Sequence, residues 1–347
     1  MTAEPAAPDA QASMIRPADA MAVQAGAAAL RQGLLVAFAT ETVYGLGANA
    51  EDGRAVARIF EAKGRPRFNP LIVHVQDAAA ARRQGRFAAA AALLADAFWP
   101  GPLTLVVPRA PSSTVAELAT AGLASIALRV PGAAMARELI AAAGVPVAAP
   151  SANVSGHVSA TTAEHAAADL GHAVALVLDA GPTRHGIEST IIGVGEDEAP
   201  VLLRAGAVTR EAVEAVLGQA LGQLPVQSIG QPIGPMRRGR MAAPGQLESH
   251  YAPRARLRLD ARDAVAGEAF VAFGPPPAGV DAAFTLSTAG DVVEAAANLF
   301  SLLRRLDDQG IGRAAFMTIP GTGLGEAIND RLRRAAAPRR RRGRDGR

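Results

Sequence analysis

The chain has 347 residues, a formal net charge of +3 and no cysteine. Its length allows two domains, each large enough to bury a core of its own. The missing cysteine excludes disulfides, thiolate nucleophiles and cysteine-ligated zinc, and no apolar run reaches the roughly 18 residues of a membrane span.

Residues 1–13 are rich in Ala and Pro, without the basic start and apolar centre of a secretory signal, and read as a loose tail. A helix is predicted over residues 18–32 with Gly33 as its stop, then a buried strand over 34–38 and a turn over 40–47. A short helix over 55–62 ends at Gly64. The loop that follows holds Pro66 and Pro70, which remove backbone donors and forbid regular helix. Strands are expected over 71–75, 103–108, 125–130 and 145–149, and helices over 88–98 and 133–143. Thr161 or Thr162 caps a helix that runs to residue 170. Strands over 174–179, 189–193 and 201–204 follow, then a helix capped by Thr209 that runs to 217. Alternating strands and helices make this an α/β domain.

The pattern breaks from residue 218 to 252, where Pro225, Pro232, Pro235 and Pro244 interrupt any periodicity. A structureless stretch of that length reads as a linker or lid. A second α/β unit follows: strands over 256–259 and 269–273, a long amphipathic helix over 291–308, a strand over 314–319 and a closing helix over 325–336. Residues 338–347 carry six Arg and one Asp, so residues 1–337 are slightly acidic and the basic balance belongs to the tail. Such a tail is a candidate for touching RNA.

Rare residues mark the chemistry. Lys and Arg number 35, and only Lys63 is a lysine. A compact ammonium in a background of arginine marks a place where a planar fork would not serve. Lys63, Arg65, Arg67 and Asn69 share one proline-ordered loop, a plausible polyphosphate binder. His74 lies on the next strand, where a lone His is more often a hydrogen-bonded core residue. Trp99, the only tryptophan, reads as core packing; Tyr44 and Tyr251, the only tyrosines, read as packed turns. A second polar cluster runs from Pro150 through Ser151, Asn153 and Ser159 to Thr162, at a strand-to-helix junction where phosphate or ribose would sit. No Walker pattern or dinucleotide fingerprint is present, Ser151 lacks the nucleophile elbow, and the histidines lack zinc spacing. A third cluster runs from Gly186-Ile187-Glu188-Ser189-Thr190 to Leu203-Arg204-Ala205-Gly206.

Together these segments resemble the threonylcarbamoyl-AMP synthase family with its YrdC-like fold, in the long two-domain form. The matching motifs are Thr40-Glu41-Thr42-Val43-Tyr44-Gly45-Leu46-Gly47, Lys63-Gly64-Arg65-Pro66 with Asn69-Pro70-Leu71, Trp99-Pro100-Gly101-Pro102-Leu103-Thr104, Leu128-Arg129-Val130-Pro131, Ala149-Pro150-Ser151-Ala152-Asn153, Glu188-Ser189-Thr190 and Leu203-Arg204-Ala205-Gly206. They follow the family's order. Ala39 stands where the family usually has Pro, and Gln246-Leu247-Glu248 departs from its lid.

The resemblance implies a twisted mixed sheet with flanking helices over residues 14–217, a linker or lid over 218–252, and a small Rossmann-like domain over 253–337, between tails at 1–13 and 338–347. It implies a cytoplasmic nucleotidyltransferase that makes threonylcarbamoyl-AMP and pyrophosphate from L-threonine, bicarbonate or CO2 and ATP, for N6-threonylcarbamoyladenosine in tRNA. Lys63 and Arg65 would be catalytic. ATP would meet Lys63, Arg65, Asn69, Ser125, Ser151, Asn153, Ser159, Arg204 and Tyr251. Threonine would meet Thr42, His74, Arg129, Ala149 and Ser189, with Arg129 on its carboxylate. Mg2+ would come with ATP, without metal-binding protein side chains. The product would pass to a tRNA threonylcarbamoyl transferase complex. One competing reading is a double-stranded RNA-binding or ribosome-associated module. Another is a carbamoyl transferase of hydrogenase maturation, which normally brings the zinc-finger cysteines that this chain lacks.

Overall fold

The computed structural model describes residues 14–195, 199–222 and 251–338. The predicted tail at 1–13, all of the predicted tail at 338–347 except Pro338, and most of the predicted linker, including Gln246-Leu247-Glu248, lie outside the described residues. The chain divides into two units between residues 246 and 247, the second also taking in residues 156–158. That division falls inside the predicted linker.

The first unit runs β1 (Ile15–Pro17), α1 (Ala20–Arg31), β2 (Val36–Phe38), β3 (Gly45–Asn49), α2 (Gly53–Lys63), β4 (Ile72–His74), α3 (Ala78–Gln84), α4 (Ala89–Phe98), β5 (Leu103–Pro108), β6 (Ser125–Arg129), α5 (Ala134–Ala143), β7 (Val147–Ala148), α6 (Ala163–Leu170), β8 (Leu176–Asp179), β9 (Thr190–Gly193), β10 (Val201–Arg204) and α7 (Arg210–Leu217). Its strands form one mixed sheet in the order β1-β8-β2-β3-β7-β4-β6-β5-β9-β10. Local chemistry sets the helix ends. The carboxylates of Asp19, Asp52 and Asp77 and the hydroxyls of Thr162 and Thr209 accept hydrogen bonds from first-turn N–H groups, and Gly64 ends α2 in the left-handed region at φ 58°.

The predicted turn over 40–47 is shorter than expected, because Gly45, Leu46 and Gly47 begin β3, paired antiparallel with β2. These glycines serve close packing within a sheet. A Cβ on Gly47 would lie 2.8 Å from the Phe38 ring and 3.0 Å from Val147 Cγ1. The sequence reading also passed over β1 and α3.

The core shows which part of the sheet the described helices cover. One face packs against α2, α3, α4, α6 and α7 through residues such as Ile59, Ala81, Leu94, Ala166 and Val213. On the other face α1 and α5 cover only one half, where Val23, Leu30, Leu139 and Ile140 meet Val36, Phe38, Val147 and Leu178. The second half of that face, on β4, β6, β5, β9 and β10, carries a separate small cluster of Ile72, Val106, Ala127, Ile191 and Leu203, with no helix residue among them.

The second unit holds a parallel sheet of β11 (Arg256–Ala261), β12 (Ala269–Phe273), β13 (Phe284–Ser287) and β14 (Arg313–Met317), in the order β11-β14-β12-β13, with helices α8 (Val292–Asp308) and α9 (Leu324–Ala336). The sequence reading missed β13, which is four residues long. Asp291 caps α8, whose buried stripe includes Leu299, Phe300, Leu303 and Leu306. Among the described residues no helix is long and apolar enough to cross a membrane.

Candidate active site

Strand pleating turns the helix-free half-face into a site. Successive side chains alternate between faces, so on β6 the apolar Ile126 and Leu128 enter the helix-covered core while Ser125, Ala127 and Arg129 share the other face. The same parity places His74 beside Ile72, Thr104 beside Val106, and Ser189 on the face of Ile191. Polar residues from four neighbouring strands thus border one apolar floor. The parallel register sets His74 against Arg129. Ser125 and Arg129 lie four residues apart on one strand, a span of about 13 Å. The register that pairs Ile72 with Ala127 carries Ser125 to the level of Pro70, next to Asn69.

The Arg129 end is charged and dry. The Arg129 guanidinium donates from Nε to Gly101 O at 3.2 Å and from Nη2 to Glu41 Oε1 at 2.5 Å. Burial would raise the Glu41 carboxyl, but the Arg129 charge and hydrogen bonding from backbone N–H and the guanidinium outweigh it and hold the group at about 2. His74 is buried, and its Nδ1 has no hydrogen-bond partner. Burial, and next the Arg129 charge, lower its pKa to about 3 against the opposing pull of Glu41, so the imidazole is neutral near pH 7. Thr42 is buried beside this pair in sequence, its hydroxyl 2.8 Å from that of Thr40. The Ala149 N–H donates to Ile72 O at 2.9 Å.

The loops at the opposite ends of β4 and β6 close around Lys63. Its Nζ donates to Ser151 O at 2.5 Å and to Asn153 O, and Ser155 N donates to Lys63 O. The lone lysine and the Ser151–Asn153 turn are therefore one structure. Burial, then the charge of Arg65, push the Lys63 pKa well below its ordinary value. Arg65 donates to Asn69 O and Pro70 O and so braces the loop that presents Asn69, whose buried Oδ1 has no partner. On the far side Arg204 donates to Ser189 O and, from Nη2, to Ser189 Oγ at 3.1 Å. The Thr104 and Ser189 hydroxyls lie 2.7 Å apart, and Ser159 Oγ donates to Glu188 Oε1 at 2.7 Å. Gly206 permits this packing: a Cβ there would sit 2.4 Å from Glu188 O and 2.5 Å from Thr190 N.

Most of the residues singled out in the sequence are thus tied to one another or share that half-face. Tyr251 is different. It belongs to the second unit, where its ring stacks on Phe300 with centroids 5.3 Å apart and Arg331 lies 5.2 Å over it. Trp99 is only half-buried; it packs edge-on against Phe87 and donates from Nε1 to Leu103 O at 2.7 Å. The sequence gives Glu41, Thr104 and Glu188 places in motifs but no roles. Their places inside motifs were the available signal, but their partners lie far along the chain.

Two family models match the chain. One, described as Telomere recombination, matches residues 28–206, and one, described as Threonylcarbamoyl-AMP synthase, C-terminal domain, matches residues 208–337. A threonylcarbamoyl-AMP synthase of Pyrococcus abyssi is 39% identical over 334 residues, covering 91% of this chain and 94% of that protein. One of Bacillus subtilis is 39% identical over 329 residues, covering 90% and 92%. The crystal structure of Pyrococcus abyssi Sua5 complexed with L-threonine matches with a TM-score of 0.80 at 36% identity, covering 93% of this chain and 96% of that one.

Proposed function

This chain belongs to the threonylcarbamoyl-AMP synthase family, and we propose that it is a nucleotidyltransferase joining L-threonine, bicarbonate or CO2, and ATP into threonylcarbamoyl-AMP. The observation that carries this reading is the helix-free half-face. It places a buried guanidinium and a neutral imidazole at one end, and a lysine-braced polar turn and an unpartnered amide oxygen at the other. One end suits an amino acid and the other a nucleotide.

In the proposed reaction the threonine amine adds to CO2 and loses a proton, giving a carbamate. A carbamate oxygen then attacks the α-phosphorus of ATP, and the bond from that phosphorus to the bridging oxygen breaks, expelling pyrophosphate. No enzyme nucleophile is needed. The chain supplies positioning and charge. Arg129, with His74, Thr42, Ala149 and Ser189, holds threonine at the charged end. Asn69, Ser125, Ser151, Asn153, Ser159 and Arg204 hold the nucleotide. Lys63 and Arg65 offset the charge that develops on the phosphates. A phosphate arriving near Lys63 would raise the amine's depressed pKa and favour the ammonium. Mg2+ enters as MgATP, with ligands from phosphate oxygens and water.

The product is a mixed anhydride that water would hydrolyse, so it suits direct use by a tRNA threonylcarbamoyl transferase in the cytoplasm. The test is pyrophosphate release that requires threonine, bicarbonate and ATP together, with labelled bicarbonate recovered in the product by mass spectrometry. Pyrophosphate release independent of threonine, or none at all, sinks the reading.

A further inference from the structure

The geometry points to Glu41 as the positioning residue that aims the Arg129 guanidinium, an assignment resting on the reading that Arg129 receives the amino-acid carboxylate. Glu41 lies 88 residues from Arg129 in sequence, yet the two side chains meet at 2.5 Å and are both nearly buried. Every end of this pair is anchored to backbone. Arg129 Nε is fixed on Gly101 O. The second Glu41 oxygen accepts from Ala133 N at 3.1 Å, and the Glu41 carbonyl accepts from His185 N at 2.9 Å. Gly132 leaves room for the carboxylate, since a Cβ there would lie 3.1 Å from Glu41 Cδ.

A buried ion pair is weak in stability terms, because desolvation cancels much of the attraction; apolar residues of similar size would hold the fold as well. What the pair does provide is direction. With Nε and one Nη2 hydrogen engaged, the remaining N–H groups on Nη1 and Nη2 are aimed by two fixed anchors, which a planar fork converts into a fixed direction of approach for a carboxylate. Glu41 also offsets the Arg129 charge. A ligand carrying only a carboxylate gains little net attraction from the pair, whereas a zwitterion brings both charges to a pair that offers both. Glu41 therefore sets both the orientation of the amino acid and the preference for one that carries an amine.

The test uses the full-length protein, with threonine and ATP dependence of pyrophosphate release measured for Glu41→Gln, Glu41→Asp, Arg129→Lys and the Glu41→Gln/Arg129→Lys double variant, each checked by thermal melting. Glu41→Gln is expected to raise the threonine KM roughly tenfold or more, with the ATP KM within about twofold of the parent. Glu41→Asp, which keeps the charge on a shorter stem, should give a smaller rise and remains informative if the Gln variant does not fold. In the Arg129→Lys background, Glu41→Gln should add less than about twofold to the threonine KM, because residues acting through one another are not additive. An unchanged threonine KM, equal rises in both KM values, or full additivity overturns the assignment. A parent protein with no threonine-dependent turnover overturns it together with the proposed function, whereas an active parent with unaffected variants overturns only the role of Glu41.

Discussion

Replacing Lys63 by Met separates two roles that one ammonium performs. The change keeps an unbranched side chain and removes the donors to Ser151 O and Asn153 O. A buried carbonyl left dry costs about 1–3 kcal/mol, but removing a charge from a residue only 2% exposed returns part of that loss. The net destabilisation should be about 1–2 kcal/mol, a fall in melting temperature of roughly 2–8 °C for a unit of this size. Activity should fall further. A preorganised cation facing developing charge in a dry site is worth about 10²–10³ in rate, or about 3–4 kcal/mol. Lys63→Arg should not restore it, since a planar fork cannot occupy a cradle built around two carbonyls and a compact head. The assay is pyrophosphate release at saturating threonine, bicarbonate and ATP, read beside a thermal melt of the same sample. Turnover within about threefold of the parent would refute the catalytic role. Loss of activity no larger than the unfolded fraction would refute it too, leaving Lys63 as a brace alone.

Acid should destabilise the first unit in two stages. His74, held at about 3 against an ordinary histidine, stays neutral in the fold while the unfolded chain takes up a proton, so stability drops as pH falls below about 6.5. Glu41, held at about 2, contributes stability that is full above the ordinary carboxylate range and is lost as pH falls from there towards 2. Melting temperature against pH should therefore flatten above about pH 4.5 in His74→Gln and fall less steeply below it in Glu41→Gln; unchanged profiles would remove these groups from the account. Thr104→Val leaves the Ser189 hydroxyl without its 2.7 Å partner and should raise the threonine KM about three- to tenfold, measured by initial rates. Gly206→Ala drives a methyl into the backbone of Glu188, Ser189 and Thr190, which cannot give way as a side chain would, and should cost more than about 2 kcal/mol by denaturant titration. A well-folded Gly206→Ala variant with parental activity would show that this close approach is dispensable.

What was legible in the sequence was whatever chemistry acts over a few residues. Thr161 or Thr162, Thr209 and Gly64 marked helix ends because capping is local, and in the structure Thr162, Thr209 and Gly64 take those roles. Gly45 and Gly47 misled because glycine in sequence signals freedom, while here Gly47 answers to Phe38 and Val147 from neighbouring strands. The α3 segment, seven residues of mostly Ala and Arg after Asp77, has too short a period to stand out. Lys63 was legible through its rarity alone, but its contact with the Ser151 and Asn153 carbonyls was not, nor was the pairing of Glu41 with Arg129.

This half-face shows why sites of this kind hide in sequence. His74, Thr104 and Arg129 are each a single polar residue in a short, otherwise apolar strand, and taken singly each is as consistent with a satisfied core position as with a ligand contact. Parity along the strand fixes which face each side chain takes, and that much can be counted from the letters. Whether the face is covered depends on where α1 and α5 lie, which depends on their packing against Val36, Phe38, Val147 and Leu178 at the other end of the sheet. A polar residue on the covered half would be a buried group needing an internal partner. His74 on the other half is buried as well, yet its Nδ1 is unmatched and has capacity left for a ligand. The chemistry of this protein therefore rests as much on the two helices that stop short of β4 as on the residues beyond them.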